Sequence, residues 1–316
     1  MNSYDVTIER WPIAGDGFTI SRETKRDSMA VHVRLTRGSH NGEGEATPLR
    51  RYHHMPEEVS ESAREWLSTH DVWARDLLEE TLPPGPARHA IDCALWRLEA
   101  AEKNISLADY MGVVPRALPT AFTLSGAPPE VMAQHALGRH KFNWLKVKLM
   151  GDGLDAARLR AIHAAVPDKD LLVDANEGLN ENLLEELLPV FLQCRVKLIE
   201  QPLPEGKDEA LRDWRLPIPL AADESCHTID SLENLRGKYN VVNLKLDKTG
   251  GLTHALKMKA AAKGMGFQIM VGCMASTSLA VYPAFLLAQG ADFIDLDGAL
   301  LLDHDRENCD KPEFIF

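Results

Sequence analysis

Long apolar runs and paired cysteines are both missing from this 316-residue sequence. No stretch of about 18 apolar residues occurs, so no transmembrane helix is expected. The amino-terminal segment carries early charges and has no apolar core, which does not fit a secretory signal. The five cysteines are scattered without a CxxC pair, which favours reduced thiols in a cytoplasmic setting over disulfides or a zinc site.

Positive charge is also scarce in this chain. There are 35 lysine and arginine residues against 47 aspartate and glutamate residues, which gives a net charge of −12. An acidic surface repels nucleic-acid phosphates and anionic membranes, so neither is an expected partner. The hydrophobic fraction of 45% is sufficient for one large domain, or for a barrel with a smaller module.

The region after residue 116 alternates short apolar strands with amphipathic helices. Residues 181–194, for example, place Leu184, Leu188, Phe191 and Leu192 on one helix face. Eight such units predict an α/β fold with a (β/α)₈ barrel, a modified TIM barrel. An open doubly wound sheet is the alternative, but no GxGxxG motif supports its dinucleotide-binding form. The predicted strands are 117–124, 144–150, 171–176, 196–202, 219–225, 241–247, 267–272 and 293–298.

The first part of the chain has a mixed pattern. Residues 4–10, 18–22 and 29–37 alternate as strands do, whereas Pro56 and Pro86 open amphipathic helices. In the helix predicted at 86–102, four apolar side chains share one face: Ile91, Ala94, Leu95 and Leu98. The predicted domains are an α+β capping module at 1–116, a barrel at 117–298 and a tail at 299–316 that packs on the cap.

Polar residues are concentrated at the carboxyl ends of six predicted barrel strands. A buried parallel strand should be almost wholly apolar, and this end of a barrel is where active sites lie. Six strand ends with charged residues of matching types argue against the alternative that each is only a solvent-exposed loop boundary. The pairs are Lys146 and Lys148, Asp174 and Asn176, Glu200 and Gln201, Asp223 and Glu224, Lys245 and Asp247, and Asp295 and Asp297.

Three of these acids lie on consecutive strands and are expected to converge on one mouth. Asp174, Glu200 and Asp223 would repel one another in a partly buried site, and a divalent cation removes that conflict. A site in which every ligand atom is oxygen favours Mg²⁺ or Mn²⁺ over zinc. The alternative is that these acids form structural salt bridges with the neighbouring lysines.

Two lysines flank the acidic strands. Lys148 and Lys245 would face a central substrate from opposite directions, as acid and base for an α-proton next to a carboxylate. A free lysine has a pKa of about 10.4. A bound metal or the neighbouring Lys146 would lower the pKa of the catalytic lysine. Lys248 is the alternative to Lys245, but alternation along the strand points Lys245 inward and leaves Lys248 as a loop or salt-bridge residue.

These residues resemble the enolase superfamily, in its muconate-lactonising-enzyme-like subgroup. The matches occur in the family's order over essentially the whole chain: KVK (146–148), DAN (174–176), EQP (200–202), ADES (222–225) and NLKLDKTGG (243–251). The resemblance implies Mg²⁺ on Asp174, Glu200 and Asp223. It also implies acid/base catalysis by Lys148 and Lys245, with Lys146 supporting Lys148 and the substrate carboxylate.

The last predicted strand narrows the subgroup. Asp295 and Asp297 form a DxD pair, as in the dipeptide epimerases, where it binds the α-ammonium of the substrate. The resemblance therefore implies inversion of the C-terminal residue of a dipeptide, typically L-Ala-D/L-Glu. The alternatives are N-acylamino-acid racemisation, o-succinylbenzoate synthesis and muconate cycloisomerisation, whose substrates lack the ammonium, or a non-catalytic role.

Side-chain specificity is expected to depend on the cap and on the seventh strand. Arg22 or Lys25 of the cap could pair with an acidic substrate side chain, and Met270, Cys273 and Met274 are expected to line the pocket. The family often has a larger residue followed by an acid near MASTS (274–278), so this departure leaves the dipeptide open. The expected partners are this small-molecule dipeptide and further copies of the chain in a homo-oligomer.

Overall fold

The computed structural model describes residues 2–15, 17–48 and 50–316. Within these ranges, no helix is both long and apolar enough to cross a membrane. The strands of the first part are β1 (Asn2–Pro12), β2 (Phe18–Thr19), β3 (Thr24–Lys25), β4 (Asp27–Arg37) and β5 (His40–Ala46). Its helices are a 3₁₀ turn (Arg50–Tyr52), α1 (Pro56–Thr69), α2 (Arg75–Thr81), α3 (Pro86–Glu102) and α4 (Leu107–Met111).

The strands β1, β4 and β5 form an antiparallel sheet in the order β1-β4-β5. Its apolar face packs against α1 and α3, with Val31, Val33, Ile91 and Leu95 in the shared core. Both α1 and α3 begin at the predicted prolines, because proline suits the first turn of a helix, where its missing N–H leaves no bond unmade. The predicted face of α3 is confirmed, since all four of its apolar residues are buried.

The barrel region follows. Its strands are β6 (Leu118–Pro119), β7 (Phe122–Leu124), β8 (Trp144–Lys148), β9 (Asp170–Asp174), β10 (Val196–Glu200), β11 (Leu220–Ala222), β12 (Val241–Leu244), β13 (Gln268–Gly272), β14 (Phe293–Asp295) and β15 (Phe314–Ile315). Its α-helices are α5 (Pro129–Leu137), α6 (Asp155–Ala165), α7 (Glu181–Gln193), α8 (Leu232–Leu235), α9 (Leu246–Thr249), α10 (Leu252–Gly264) and α11 (Ser278–Leu287). Three further 3₁₀ turns are Glu209–Asp213, Ile229–Ser231 and Gly298–Leu301.

Eight strands, β7 to β14, form one parallel sheet in chain order. A main-chain hydrogen bond of 3.0 Å from Ala121 N to Ile294 O joins its two ends, so the sheet curls into a nearly closed barrel. The predicted (β/α)₈ fold is confirmed, and the open doubly wound sheet is wrong. The barrel interior is filled by apolar side chains from β9 to β13 and from the residue before β7: Ala121, Leu172, Leu198, Ala221, Val241 and Met270.

Several predicted boundaries differ from the structure. Most barrel strands end two or three residues earlier than predicted, so Asp223 and Lys245 lie just beyond β11 and β12. On α7 the buried residues are Leu184, Leu187, Val190 and Phe191, whereas Leu192 is half exposed. The predicted shared face is therefore wrong at Leu192, whereas Leu188 is partly buried against the core, because the buried face is rotated by about one residue.

The C-terminal tail makes two kinds of contact. Its strand β15 pairs in parallel with β6, which directly precedes the first barrel strand in the chain. Farther upstream, Arg306 contacts Glu45 of the cap at 3.1 Å and also Glu9. The domain boundaries at residues 116 and 298 stay predictions.

Candidate active site

The carboxyl ends of β8, β9 and β10 bring three charged side chains to one level. Lys148 is aligned with Asp174, and Asp174 with Glu200, in the parallel register. Side chains two residues apart on a strand share a face, so Lys146 enters the barrel one layer below Lys148. The strand register thus produces a short stack of cations and anions inside the barrel mouth.

Lys146 lies at the centre of this stack. Its Nζ is 3.0 Å from Asp174 Oδ2, 2.7 Å from Glu200 Oε2 and 2.7 Å from Asp295 Oδ2. Lys148 Nζ makes a further contact of 2.6 Å to Asp174 Oδ2. Burial alone would lower the pKa of Lys146, but Asp174, Asp295 and Glu200 outweigh it and raise that pKa well above its usual value. The three carboxylates therefore favour the charged form of Lys146.

Asp223 is shared between two other lysines. Its Oδ2 accepts a hydrogen bond of 2.7 Å from Lys245, and its Oδ1 one of 2.6 Å from Lys248. Burial disfavours the ionised carboxylate, but the two ammonium groups outweigh it and hold the pKa of Asp223 well below its usual range. The Asp223 and Glu200 carboxylates in turn raise the pKa of Lys245, against the opposing effect of burial. The expected lowering of a catalytic lysine pKa is thus absent at Lys245 while Asp223 is its counter-ion.

The two aspartates of β14 have different partners. Asp295 contacts Lys146, and its Oδ1 is buried without a hydrogen-bond partner. Asp297 Oδ2 accepts a hydrogen bond of 2.6 Å from the Thr123 amide. Burial and the Asp295 charge raise the pKa of Asp297 to about 6. This pair is short of positive charge, which suits an incoming ammonium group.

A cavity of about 160 Å³ opens above these residues, between barrel and cap. Among the residues predicted for the site, Lys146, Lys148, Asp223, Lys245, Asp295, Asp297, Cys273, Met274, Arg22 and Lys25 line it. Asp174 and Glu200 do not line it; they are almost fully buried and contact Lys146, which does. The lysines Lys148 and Lys245 enter from β8 and from the end of β12, four strands apart around the ring.

Two cap segments cover the cavity. Arg22, between β2 and β3, donates to Asn176 O at 2.9 Å, Glu177 Oε2 at 2.6 Å and Glu224 Oε1 at 2.9 Å. Arg51, in the 3₁₀ turn, donates to the same Glu177 carboxylate at 2.8 Å. The Glu177 side chain belongs to the barrel and is only 8% exposed. Because its carboxylate binds both arginines, it holds both cap segments over the site.

Some predicted residues are placed differently. Met270 is fully buried in the barrel interior, a layer below the cavity, so its assignment to the pocket was wrong. The inward alternation from Asn243 holds as far as Lys245, which lines the cavity, but not at Asp247, because β12 ends at Leu244 and α9 begins at Leu246. Asp247 instead contacts His89 of α3 at 3.0 Å.

Among the cavity residues that the sequence interpretation missed are Arg51 and Tyr52. They lie on an irregular turn, where no periodic pattern indicates which way a side chain faces. Glu224 also lines the cavity; its position after a barrel strand was noted, but it received no role.

The candidate metal ligands Asp174, Glu200 and Asp223 are paired with lysines in this structure. Among the described residues, no three acidic, histidine or cysteine side chains form a ready-made ligand set, and lysine ammonium groups contact Asp174, Glu200 and Asp223 instead. The donors themselves suit a hard cation, since all are carboxylates. Burial and the Asp174 charge raise the pKa of Glu200 to about 8, so this carboxylate lacks sufficient positive charge nearby. The donor set fits a divalent cation that would relieve this deficit.

Comparison with known proteins agrees with this geometry. A family model described as enolase C-terminal domain-like matches residues 130–308. The L-Ala-D/L-Glu epimerase of Escherichia coli (strain K12) is 40% identical over 311 residues, which cover 97% of this chain and 96% of that protein. The chain belongs to the enolase superfamily.

Two further relatives of this enolase-superfamily chain bear on its substrate. The N-acetyl-D-glutamate racemase of a Pseudoalteromonas species is 46% identical over 231 residues, 73% of each chain. A crystal structure of an enolase family member from Agrobacterium tumefaciens, with homology to dipeptide epimerases and with bound sodium and L-Ala-L-Glu, has a TM-score of 0.92. It is 42% identical and covers 97% of this chain and 94% of its own.

Proposed function

We propose that this protein is a dipeptide epimerase, an isomerase that inverts the α-carbon of the C-terminal residue of a dipeptide such as L-Ala-D/L-Glu. The observation that carries the proposal is the placement of Lys148 and Lys245 in the walls of one cavity, four strands apart. Inversion requires removal of a proton from one face of a carbon and delivery of another to the opposite face. Two lysines on opposite walls satisfy this requirement.

A divalent cation, Mg²⁺ or Mn²⁺, would be held by Asp174, Glu200 and Asp223. When bound, it would stabilise negative charge developing on the substrate carboxylate as the α-proton leaves. The same three acids are at present the counter-ions of Lys146, Lys148 and Lys245. With the acids neutralised in another way, one catalytic lysine can lose its proton and act as the base, while the other stays charged as the acid.

The substrate's free α-ammonium would be bound by Asp295 and Asp297. Asp295 Oδ1 is buried without a hydrogen bond, and Asp297 has one amide partner, so both have free acceptor capacity. The side chain of the substrate would face the cap. Arg22, Lys25 and Arg51 line that side of the cavity and favour an acidic side chain such as that of glutamate. Arg22 and Arg51 are shared with Glu177, and Lys25 Nζ is 3.0 Å from Glu23.

A second candidate is racemisation of an N-acylated acidic amino acid. It is favoured by the 46% identity to an N-acetyl-D-glutamate racemase. This reaction would use the same lysines, metal ligands and cap cations, but its substrate has no ammonium group. The aspartate pair on β14 therefore distinguishes the two candidates.

The test is isotope exchange in D₂O with Mg²⁺, using L-Ala-L-Glu and N-acetyl-L-glutamate in parallel. We expect deuterium at the glutamate α-carbon of the dipeptide together with formation of the L,D isomer. A faster reaction with N-acetyl-L-glutamate would favour the second candidate. Absence of exchange with every member of a dipeptide library would contradict the epimerase proposal.

The variant Asp297→Asn sharpens this test. Loss of a charged hydrogen bond to the ammonium should lower kcat/KM for the dipeptide by roughly 10–100-fold, and should change that for N-acetyl-L-glutamate far less. Equal losses for the two substrates would argue against ammonium binding at this position.

A further inference from the structure

Gln201 is a buried neutral residue with an unusual number of partners close to the proposed metal ligands. It follows Glu200 directly, is fully buried, and has a positive φ of 37°. A left-handed backbone is unfavourable for a residue with a side chain, so surrounding contacts must hold it there. The site described so far gives Gln201 no role.

The side-chain oxygen of Gln201 binds the main chain that carries Asp223. Gln201 Oε1 accepts hydrogen bonds from the Asp223 amide at 2.9 Å and from the Ser225 amide at 3.1 Å. These amides follow the end of β11, where the strand ladder no longer fixes the chain. Gln201 therefore replaces the ladder at the point where Asp223 leaves the sheet.

The amide nitrogen of Gln201 connects this loop to a buried support. Gln201 Nε2 lies 2.8 Å from Leu203 O, 2.9 Å from Ser225 Oγ and 3.0 Å from Tyr239 OH, and its two hydrogens are shared among these three acceptors. Ser225 and Tyr239 both donate onward to Asp208 Oδ2, at 2.8 Å and 2.9 Å. Both ends of the Gln201 amide are thus satisfied, and this fixes its orientation.

The main chain of Gln201 extends the same connection to the neighbouring strands. Its N–H donates to Ala221 O at 2.9 Å, and its carbonyl accepts from the Glu177 amide at 2.9 Å. The loops that follow β9, β10 and β11 therefore meet at one residue. Asp174 and Glu200 end β9 and β10, and Asp223 follows β11, so the main chain and the side chain of Gln201 together connect the segments that carry all three carboxylates.

We infer that Gln201 is a positioning residue, which holds the Asp223 main chain against Glu200 and thereby sets the affinity of the three carboxylates for a divalent cation. This inference rests on the proposed function, because it takes these carboxylates as the cation ligands. Gln201 is uncharged, so its replacement changes the geometry without changing the charge of the site. Residues that orient metal ligands typically change metal affinity by about 10–100-fold when replaced.

The experiment is calorimetric titration of the full-length protein with Mg²⁺ in the absence of substrate. Gln201→Met keeps the size of the side chain and removes every side-chain hydrogen bond, and we expect the Kd for Mg²⁺ to weaken by about 10–100-fold. Isotope exchange by this variant should recover as Mg²⁺ is raised, because Lys148 and Lys245 are intact. The matched control is Gln289→Met, since Gln289 bonds to the main chain at Arg116 and Phe285, away from the site. Its Kd should equal that of the parent.

Unchanged Mg²⁺ affinity in folded Gln201→Met would overturn the inference. If that variant does not fold, Ser225→Ala takes its place, because it removes only one partner of the Gln201 amide; a severalfold weaker Kd supports the inference and an unchanged Kd overturns it. A parent protein that binds neither Mg²⁺ nor Mn²⁺ would overturn the proposed function itself, and the inference with it. The two failures are therefore distinguishable.

Discussion

Lys148 and Lys245 differ from surface lysines because each contacts a buried carboxylate. Lys148 contacts Asp174 at 2.6 Å and Lys245 contacts Asp223 at 2.7 Å, and both side chains are less than a tenth exposed. Each partner is also a proposed cation ligand. Metal binding and lysine deprotonation are therefore linked, because both change the charge around the same carboxylates.

The variant Lys148→Ala should lower the rate of epimerisation by about 10²–10⁴-fold, the usual contribution of one acid or base. Lys245 would remain, so α-proton exchange of one stereoisomer should persist while that of the other is lost. Proton NMR in D₂O with each isomer separately measures this difference. Lys197→Ala is the control, since Lys197 is half exposed on the outer face of β10. Epimerisation at the parental rate would show that Lys148 is not the base.

At the residue scale, the sequence predicts the charged centre well. Asp174 and Glu200 could be placed because parallel strands of equal length end at the same level. Met270 could not, since alternation indicates that a side chain points inward without indicating its depth. Arg51 and Tyr52 were missed because their position depends on how the cap docks, which no local pattern encodes.

At the element scale, the short helix α9 is the junction between cap and barrel. Lys245 immediately precedes it, and three contacts attach it to α3. Asp247 contacts His89, Arg88 Nη2 donates to Thr249 O at 2.7 Å, and Arg88 Nε donates to Gly250 O at 3.2 Å. The cap helix thus fixes the segment that carries one of the proposed catalytic lysines.

Gly250 permits this close approach. Its φ is 78°, and a Cβ there would lie 2.7 Å from Arg88 Nη2. Gly250→Ala should therefore lower the free energy of unfolding by at least about 3 kcal/mol, from backbone strain and displacement of a charged donor. Gly153→Ala is the control, because Gly153 has a φ of 84° but no neighbour within 4 Å, and should cost about 1 kcal/mol. Equal losses in urea unfolding would show that docking of α3 is not involved.

His89 gives the same junction a pH dependence. Burial alone would lower the pKa of His89, but the Asp247 carboxylate and Cys93 outweigh it and raise that pKa to about 10. The unfolded value is about 6.5, so protonated His89 stabilises the fold fully below that pH and the contribution is lost as the pH rises towards 10.

The expected result concerns His89→Gln. Between about pH 7 and pH 9, the stability advantage of the parent over this variant should shrink with rising pH, by at most about 1.4 kcal/mol per unit. Urea unfolding at several pH values measures it, with the exposed His140→Gln as control. A difference that does not change with pH would contradict the assignment.

The barrel elements could be predicted in number and order but not in their ends. In the sequence, the strand pattern continues through Asp223 and Lys245, whereas β11 and β12 end just before these residues. After β11, Gln201 binds the main chain at Asp223, and after β12, Arg88 of α3 binds it at Thr249 and Gly250. Such long-range partners leave no local signal.

At the scale of the whole molecule, buried polar contacts join cap and barrel. Glu45 of β5 accepts hydrogen bonds from the Thr277 amide at 2.8 Å and hydroxyl at 2.5 Å. Asp92 of α3 accepts from the Thr253 amide at 3.0 Å and hydroxyl at 2.5 Å. Both acids are buried, so separating the two parts would remove their partners together. The homo-oligomer expected from the sequence stays a prediction.

We therefore expect the full chain to unfold in one cooperative transition. Circular dichroism reports the whole chain, and tryptophan fluorescence reports both parts, because Trp66 lies in the cap and Trp144 in the barrel. The two signals should give coincident urea curves, as two-state unfolding requires. A cap transition at lower urea concentration would show that the contacts at Glu45 and Asp92 do not couple the two parts.

The seating of α3 on Gly250 and Gly251 also limits how this scaffold can be re-engineered. A Cβ at Gly251 would lie 2.5 Å from Asp92 Oδ2, so the two glycines and the cap side chains above them form one fitted surface. A chimera that takes its cap from a relative, to acquire that relative's substrate preference, must import Arg88, His89 and Asp92 as a set. Without them, the graft would alter the placement of Lys245 as well as the specificity it was meant to transfer.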